Sequence, residues 1–426
     1  MADCSLEGGT DLPGRNGSTF ISRARSIVAG LKDPSLESYI QYVDSNVAAC
    51  EYLDSPIART CLDFEDFPLG SKVKGIFAHG SASWTRTAAI QTVQVDGTIL
   101  EFFLKVTRTT VGKTTLQGEY VSTWAISRAA PDLVQTPIAV GTYATDNNIH
   151  FLLSRFVNMT GKVPDPRSLP MKIAEMHFKG ASPTGKYGFP VPTSMGACIQ
   201  QNKWTSSWER CFTELMNTMF EFEQDVHGNH EEMQQLHHII LEKVIPRLLR
   251  PMETGGRDIE PRIVHGDLWD GNTSVEATTG NPVIFDASSI YAHNEYELGP
   301  WDLSRHRLDR SYIQEYRKHF EPSRPEEDFE DRLILYRLRF NLTSSACHLD
   351  HVHYRKLAVG DMRYLTAKYT DGYQGPEQRK PEEDQTLPSH AGEKNGDLLI
   401  VDTEPQGELH GLVVEQRFED KTEFPG

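Results

Sequence analysis

The chain has 426 residues and a mass of 48.1 kDa, enough to bury a large core in one bilobal unit or two domains. Its formal charge is −17 and its sequence pI about 5.4, whereas a broad binder of nucleic acid carries a basic excess, so nucleic acid is not an expected partner. Six scattered cysteines without a CxxC pair argue against a zinc site or a disulfide framework.

In chain order, residues 1–17 are rich in glycine and polar side chains and read as disordered. Apolar positions from Phe20 to Leu53 predict one or two helices broken near Asp33 and Pro34, so 1–60 is taken as an N-terminal extension. At Val73 the pattern turns to short β-rich runs, with an IQTVQV alternation and an Asp96–Gly97 hairpin signal before EFFLKV. A helix is expected over KTTLQGEYVSTWAISRAA, ending near Pro131, and an apolar strand over NNIHFLLSRFV. These make a lobe over 61–157, followed by a linker with prolines at 164, 166 and 170. From Met171 the chain is mainly helical, and 158–369 is read as the larger lobe. Residues 370–426 are acidic and rich in proline and glycine and read as a mostly disordered tail. No apolar run approaches membrane-spanning length, so a cytoplasmic protein without a membrane partner is expected.

The chemistry concentrates in HGDLWDGN, residues 265–272, set between Ile263–Val264 and a later VIFD. Asp267 and Asn272 lie five apart, and Asp286 follows fourteen residues after Asn272, across a stretch long enough for a strand, a TTGN turn and a return strand. Phosphoryl transfer needs such a set: one carboxylate to orient the attacking hydroxyl, and an amide and a second carboxylate to hold magnesium on the nucleotide phosphates. A calcium loop would need D-x-[DN]-x-[DN]-G and a glutamate at position twelve, which are missing; a plain Asx-rich turn remains the simpler alternative. Lys105 in EFFLKV and Glu119 in the next helix are candidates for the pair that positions the α- and β-phosphates, with Glu101 and Lys113 as substitutes and a surface ion pair as the bland reading. AHGSASWTR stands where a phosphate-covering loop belongs, and Gly80, Ser81 and Ser83 offer N–H and hydroxyl groups there, although GxGxxG is missing and a polar hairpin fits nearly as well. Leu153, Ser154, Arg155 and Phe156 form a candidate adenine-facing hinge through their backbone groups, in a stretch that reads equally as a buried strand.

The stretch PRIVHGDLWDGNTSVEATTGNPVIFDASSIYAHNEYEL resembles the signature of the fructosamine kinase (ketosamine 3-kinase) family, within the protein-kinase-like superfamily. EFFLKVTRTT…GEYVSTWAI, KYGFPVPTSMGACIQQNKWTSSWERCF and LILYRLRFNL resemble other segments of that family, and together the resemblance covers about 70–365. It implies an α+β, bilobal protein-kinase-like fold, with a small β-rich N-lobe holding one helix and a larger helical C-lobe. It also implies Asp267 as catalytic base, Asn272 and Asp286 as Mg2+ ligands, and Lys105 with Glu119 on the phosphates of ATP. Trp269, His293, Glu295 and Glu297 fall in family-specific positions and become candidates for the substrate pocket or its support.

The implied reaction is phosphorylation of the 3-hydroxyl of a ketosamine, a ribulosyl or fructosyl adduct on lysine or on protein, as a deglycation step. An aminoglycoside- or choline-type kinase, and a catalytically idle kinase-like binding protein, are the alternatives. Departures from the family pattern are Ser81, where many members carry a redox-active cysteine, Asp286-Ala287-Ser288 for D-P-A, and a more polar PWDLSRHRL. A monomer or weak dimer is therefore expected, without a disulfide in the nucleotide loop. Asp270 is not expected to take part in chemistry.

Overall fold

The computed structural model describes residues 72–375, apart from 80–84, 109, 136, 143–147 and 349–350. Alternation along three β-rich runs builds a meander of β1 (Lys72–Ala78), β2 (Arg86–Val93) and β3 (Ile99–Thr107), in which the β2–β3 turn closes through Thr98 N–H on Asp96 Oδ1 at 2.9 Å. The helix α1 (Thr110–Ala129) follows, then β4 (Pro137–Thr142) and β5 (His150–Arg155). The sheet is antiparallel with strand order β1-β2-β3-β5-β4. Phe102, Leu104 and Val106 alternate into its core with Ile90, Phe151 and Leu153, which turns Phe103 and Lys105 to the other face. The strand β4 was not expected from the sequence, since a proline opens it and a register shift between Pro137 and Ala139 interrupts its pairing.

The larger lobe comprises α2 (Ser168–Lys179), the hairpin β6 (Thr193–Met195) and β7 (Cys198–Gln200), α3 (Trp208–His227), and α4 (Glu231–Ile239), which runs through a π-helical turn into α5 (Ile245–Leu249). Two short antiparallel pairs follow: β8 (Arg262–Val264) pairs with β11 (Ile290–Ala292), and β9 (Thr273–Val275) with β10 (Pro282–Ile284). A 3-10 segment at Asn294–Asp302 leads to α6 (Arg310–Tyr316), α7 (Phe329–Cys347) and α8 (Val352–Lys368). α7 buries residues on every side, so it is the axis of the lobe. Trp208 of α3 is fully buried against it, its indole N–H donating to Tyr336 Oη at 2.9 Å, while the Glu253 carboxylate accepts the N–H groups of Trp208 and Glu209 that open α3.

The chain is thus α+β and bilobal. Residues 370–375, assigned to the tail on sequence, pack on the large lobe, with Lys243 Nζ donating to Thr370 O at 2.7 Å and Arg250 lying over the Tyr373 ring. The expected helices of the extension, the phosphate-loop residues Gly80, Ser81 and Ser83, and positions 376–426 lie outside the described residues. No helix among those described is long and apolar enough to cross a membrane.

Candidate active site

The strand β8 delivers the loop His265–Asn272 to the cleft, and its first residues are held from behind. Gly266 has φ +82°, and a Cβ there would collide with Ser288 O, so only glycine fits. The N–H groups of His265 and Gly266 both donate to the Glu297 carboxylate, the second at 3.1 Å. Asp267 N–H donates to His265 Nδ1 at 3.3 Å, which places the imidazole proton on Nε2, where it meets Phe285 O at 2.9 Å. Burial pushes the His265 pKa down, so this ring is a neutral brace.

Asp267 follows the brace directly. Asn272, in a short 3-10 turn, donates from Nδ2 to Asp267 O at 2.8 Å and to its Oδ2 at 3.2 Å. Burial raises the Asp267 pKa to about 7, the Asp286 carboxylate adds to the rise, and the Asn272 hydrogen bond opposes it. The β9–β10 hairpin then returns the chain, with Phe285 N–H donating to Asn272 O at 3.1 Å, and presents Asp286 beside the loop as the spacing predicts. Asp286 has φ +60°, a left-handed conformation that aspartate tolerates, and its side chain is 43% exposed.

From the other lobe, Lys105 reaches this point. Its Nζ donates to both Glu119 oxygens at 2.6 and 2.8 Å and to Asp286 Oδ1 at 2.7 Å. Burial works against the ammonium, but Asp286 and Glu119 more than offset it and hold the Lys105 pKa above the usual lysine value. Burial pushes Glu119 up to about 7 against the pull of Lys105. Glu101 is occupied by Gln91 Nε2 at 2.6 Å, so Glu119 is the lysine's partner. Five of the residues singled out on sequence therefore converge: Lys105, Glu119, Asp267, Asn272 and Asp286.

Others do not. The hinge Leu153–Phe156, expected to face adenine through its backbone groups, keeps the Leu153 and Ser154 side chains 1% and 2% exposed inside the sheet, with Arg155 over the Phe102 ring. Arg155 and Phe156 are partly exposed, and the Phe156 ring lies edge-on to His79 at 4.8 Å. His293, Glu295 and Glu297, candidates for the substrate pocket or its support, are buried at 0%, 1% and 0% exposure, and their partners favour the support. His293 lies between Tyr336 Oη and Ser323 Oγ at 2.8 Å each, Glu295 accepts a fork from Arg332 at 2.7 and 3.0 Å, and Glu297 braces the His265–Gly266 backbone. Trp269 stays partly exposed, its ring tilted against His306 at 5.2 Å. Asp270 accepts from Arg307, from its backbone N–H at 3.0 Å and its Nε at 3.1 Å.

Sequence reasoning missed Arg332 and Arg339, seven residues apart and therefore on one face of α7, both fully buried. Arg339 donates to Tyr296 Oη and Gln200 Oε1 behind Asp267. Arginine repeating at that interval inside an apolar helix was the available signal, and Arg337 between them, which pairs with Asp302 and Asp361, obscures it.

The buried histidines carry a pH consequence. Burial holds His293 down at about 4 and acts likewise on His237 and His306. The unfolded chain binds these protons from about pH 6.5 downward and the folded chain does not, so stability is full above that pH and falls towards pH 4, by about 1.4 kcal/mol per group per pH unit at most. Thermal midpoints taken from pH 7 to 4.5 should drop, and His293→Gln should flatten the drop. An equal slope in the variant contradicts this account of His293.

Residues 78–367 match the family model described as fructosamine kinase. The chain belongs to the fructosamine kinase family. The protein-ribulosamine 3-kinase of Arabidopsis thaliana, named as chloroplastic, is 28% identical over 199 residues, covering 46% of this chain and 57% of the relative. The ketosamine-3-kinase of Mus musculus is 27% identical over 287 residues, covering 62% and 87%. The chain thus spans little more than half the length of the plant relative. Two solved structures of candidate fructosamine-3-kinases align with it: that from Haemophilus somnus 129PT at TM-score 0.55 and 17% identity, over 72% of this chain and 96% of the other, and that from Thermobifida fusca YX-ER1 at 0.56 and 18%, over 73% and 98%. At such identities the likeness establishes the fold, which is the protein-kinase-like one.

Proposed function

We propose that this fructosamine kinase family member is an ATP-dependent kinase that phosphorylates the 3-hydroxyl of ketosamines, ribulosyl or fructosyl adducts on lysine or protein, as a deglycation step. The observation that carries it is the meeting of Lys105, bonded to both Glu119 and Asp286, with the Asp267–Asn272 loop. Relatives named for ketosamine and protein-ribulosamine phosphorylation support the substrate class.

In this mechanism Asp267 orients the attacking hydroxyl and takes up its proton at the carboxylate, with the loop backbone fixed by Glu297 and the carboxyl fixed by Asn272. Lys105 meets the phosphate oxygens, and Glu119 keeps its ammonium aimed. Magnesium fits the donors present: Asp286 is an exposed carboxylate, and Asn272, donating from Nδ2, has its amide oxygen as the remaining ligand atom. Among the described residues no cluster of three His, Cys, Asp or Glu could hold a metal, which suits an ion that takes its other ligands from phosphates and water. When bound, it would spread charge off the β- and γ-oxygens. Scattered cysteines and Ser81 in the nucleotide loop support a cytoplasmic monomer or weak dimer.

ADP release on adding ribulosyl- or fructosyl-lysine, set against choline and aminoglycosides, tests the substrate class; release with the latter alone overturns it. Lys105→Met is expected to leave the Glu119 and Asp286 carboxylates without their cation and raise the KM for ATP by about tenfold or more, together with a loss in kcat. An unchanged KM for ATP would remove Lys105 from the nucleotide site.

A further inference from the structure

Besides the apolar residues Val121, Ala125, Ile126 and Ala129, which share a core with Leu169 and Ile173 of α2, the helix that carries Glu119 meets the large lobe along a stripe of small residues. Thr115, Gly118 and Ser122 follow at intervals of three and four residues, which puts them on one face of α1. Each has a fixed neighbour. Thr115 Oγ1 and Ser194 Oγ of β6 are 2.9 Å apart. At Gly118 a Cβ would stand 2.6 Å from Pro192 O and 3.1 Å from Thr193 Cα, just where the chain enters β6. Ser122 is fully buried, and its hydroxyl accepts the N–H of Ser289 at 3.0 Å, three residues past Asp286. The hairpin is tied to that same segment from its other strand, as Gln200 Nε2 donates to Ser288 Oγ at 3.0 Å. Ser288 N–H in turn donates to His265 O at 2.9 Å, at the root of the catalytic loop.

We infer that the β6–β7 hairpin and the Thr115–Gly118–Ser122 stripe are positioning elements that hold Glu119 on Lys105, so that nucleotide affinity depends on residues that never touch nucleotide. The inference rests on the kinase reading, with ATP held by Lys105. Its physical basis is the hardness of the contact. The atoms opposite Gly118 are backbone, so no rotamer change can make room for a methyl group, and helix and hairpin would have to part. Helix propensity alone would favour alanine over glycine in the middle of a twenty-residue helix, so the close approach is what the glycine serves. The pair Lys105–Glu119 is therefore preset before any ligand arrives, and a preset donor loses less freedom on binding. Asp286 reaches the same lysine from the segment the stripe is bonded to, so one framework aligns both carboxylates.

The test measures binding of a fluorescent ATP analogue with magnesium to the full chain, alongside thermal unfolding. Gly118→Ala is expected to weaken binding by about tenfold, and Ser122→Ala in the same direction by a smaller factor, with cooperative unfolding retained. In a Glu119→Gln background, Gly118→Ala should add almost nothing, because its effect passes through Glu119; a merely structural role would add its full loss. If Gly118→Ala does not fold, Ser122→Ala in the two backgrounds carries the same comparison. Unchanged affinity in the single variants, or losses that add in full, overturns the inference while leaving the kinase reading intact. A wild-type chain that binds no ATP overturns both.

Discussion

Asp267→Ala is expected to lower turnover of a ketosamine by about a thousandfold while ATP binds within a few-fold of its original affinity. The two readouts separate because Asp267 and Lys105 make different contacts. Lys105 is held by Glu119 and Asp286 and is not bonded to Asp267. Removing the Asp267 carboxyl also relieves a buried charge whose pKa burial has raised to about 7. Asn272 keeps its bond to the Asp267 carbonyl, so the loop does not lose its internal tie. Thermal stability should accordingly hold or rise. Steady-state kinetics with a synthetic ribulosyl-lysine and calorimetric titration with ATP decide the matter. Turnover within tenfold of the parent would mean that another group takes the proton.

The parts of this protein that were legible in its sequence are those where local pattern and tertiary role coincide. Alternation in β2 and β3 around Asp96–Gly97 reads as a hairpin because the same residues that pair also face the core. The distance from Asn272 to Asp286 is legible because a hairpin of two short strands has few ways to close, and it closes here with Thr273 opposite Ile284. The segment around His293, Glu295 and Glu297 is the opposite case. It folds as an irregular 3-10 stretch in which every residue from Asn294 to Trp301 is buried, so no periodicity tells inward from outward. Three titratable side chains soon after Asp286 suggest a pocket or its support, and only their partners, Tyr336, Arg332 and the loop N–H groups, favour the support. Those partners come from elements far along the chain, beyond the reach of any local signal.

Glu297 is the scaffold residue whose loss should cost most. Glu297→Ala is expected to leave the N–H groups of His265 and Gly266 buried without an acceptor, at about 1–3 kcal/mol each. His177 Nε2, 3.6 Å from the same carboxylate and without a hydrogen bond among the described residues, would lose that polar neighbour. For a lobe of this size the thermal midpoint should fall by roughly 5–15 °C. Glu297→Gln should cost less than alanine yet remain defective, since its NH2 group would face an N–H donor where the carboxylate presents an acceptor. The effect on catalysis should be selective. The backbone that Glu297 holds is the one that sets Asp267, whereas Lys105 is bonded to Glu119 and Asp286 and not to Glu297. Glu297→Gln, assayed well below its melting transition, is therefore expected to lose kcat while keeping the KM for ATP. If both constants move together, the two halves of the site are coupled through this carboxylate rather than held apart. If neither moves, the brace on the catalytic loop is dispensable, and Asp267 must be oriented by Asn272 alone.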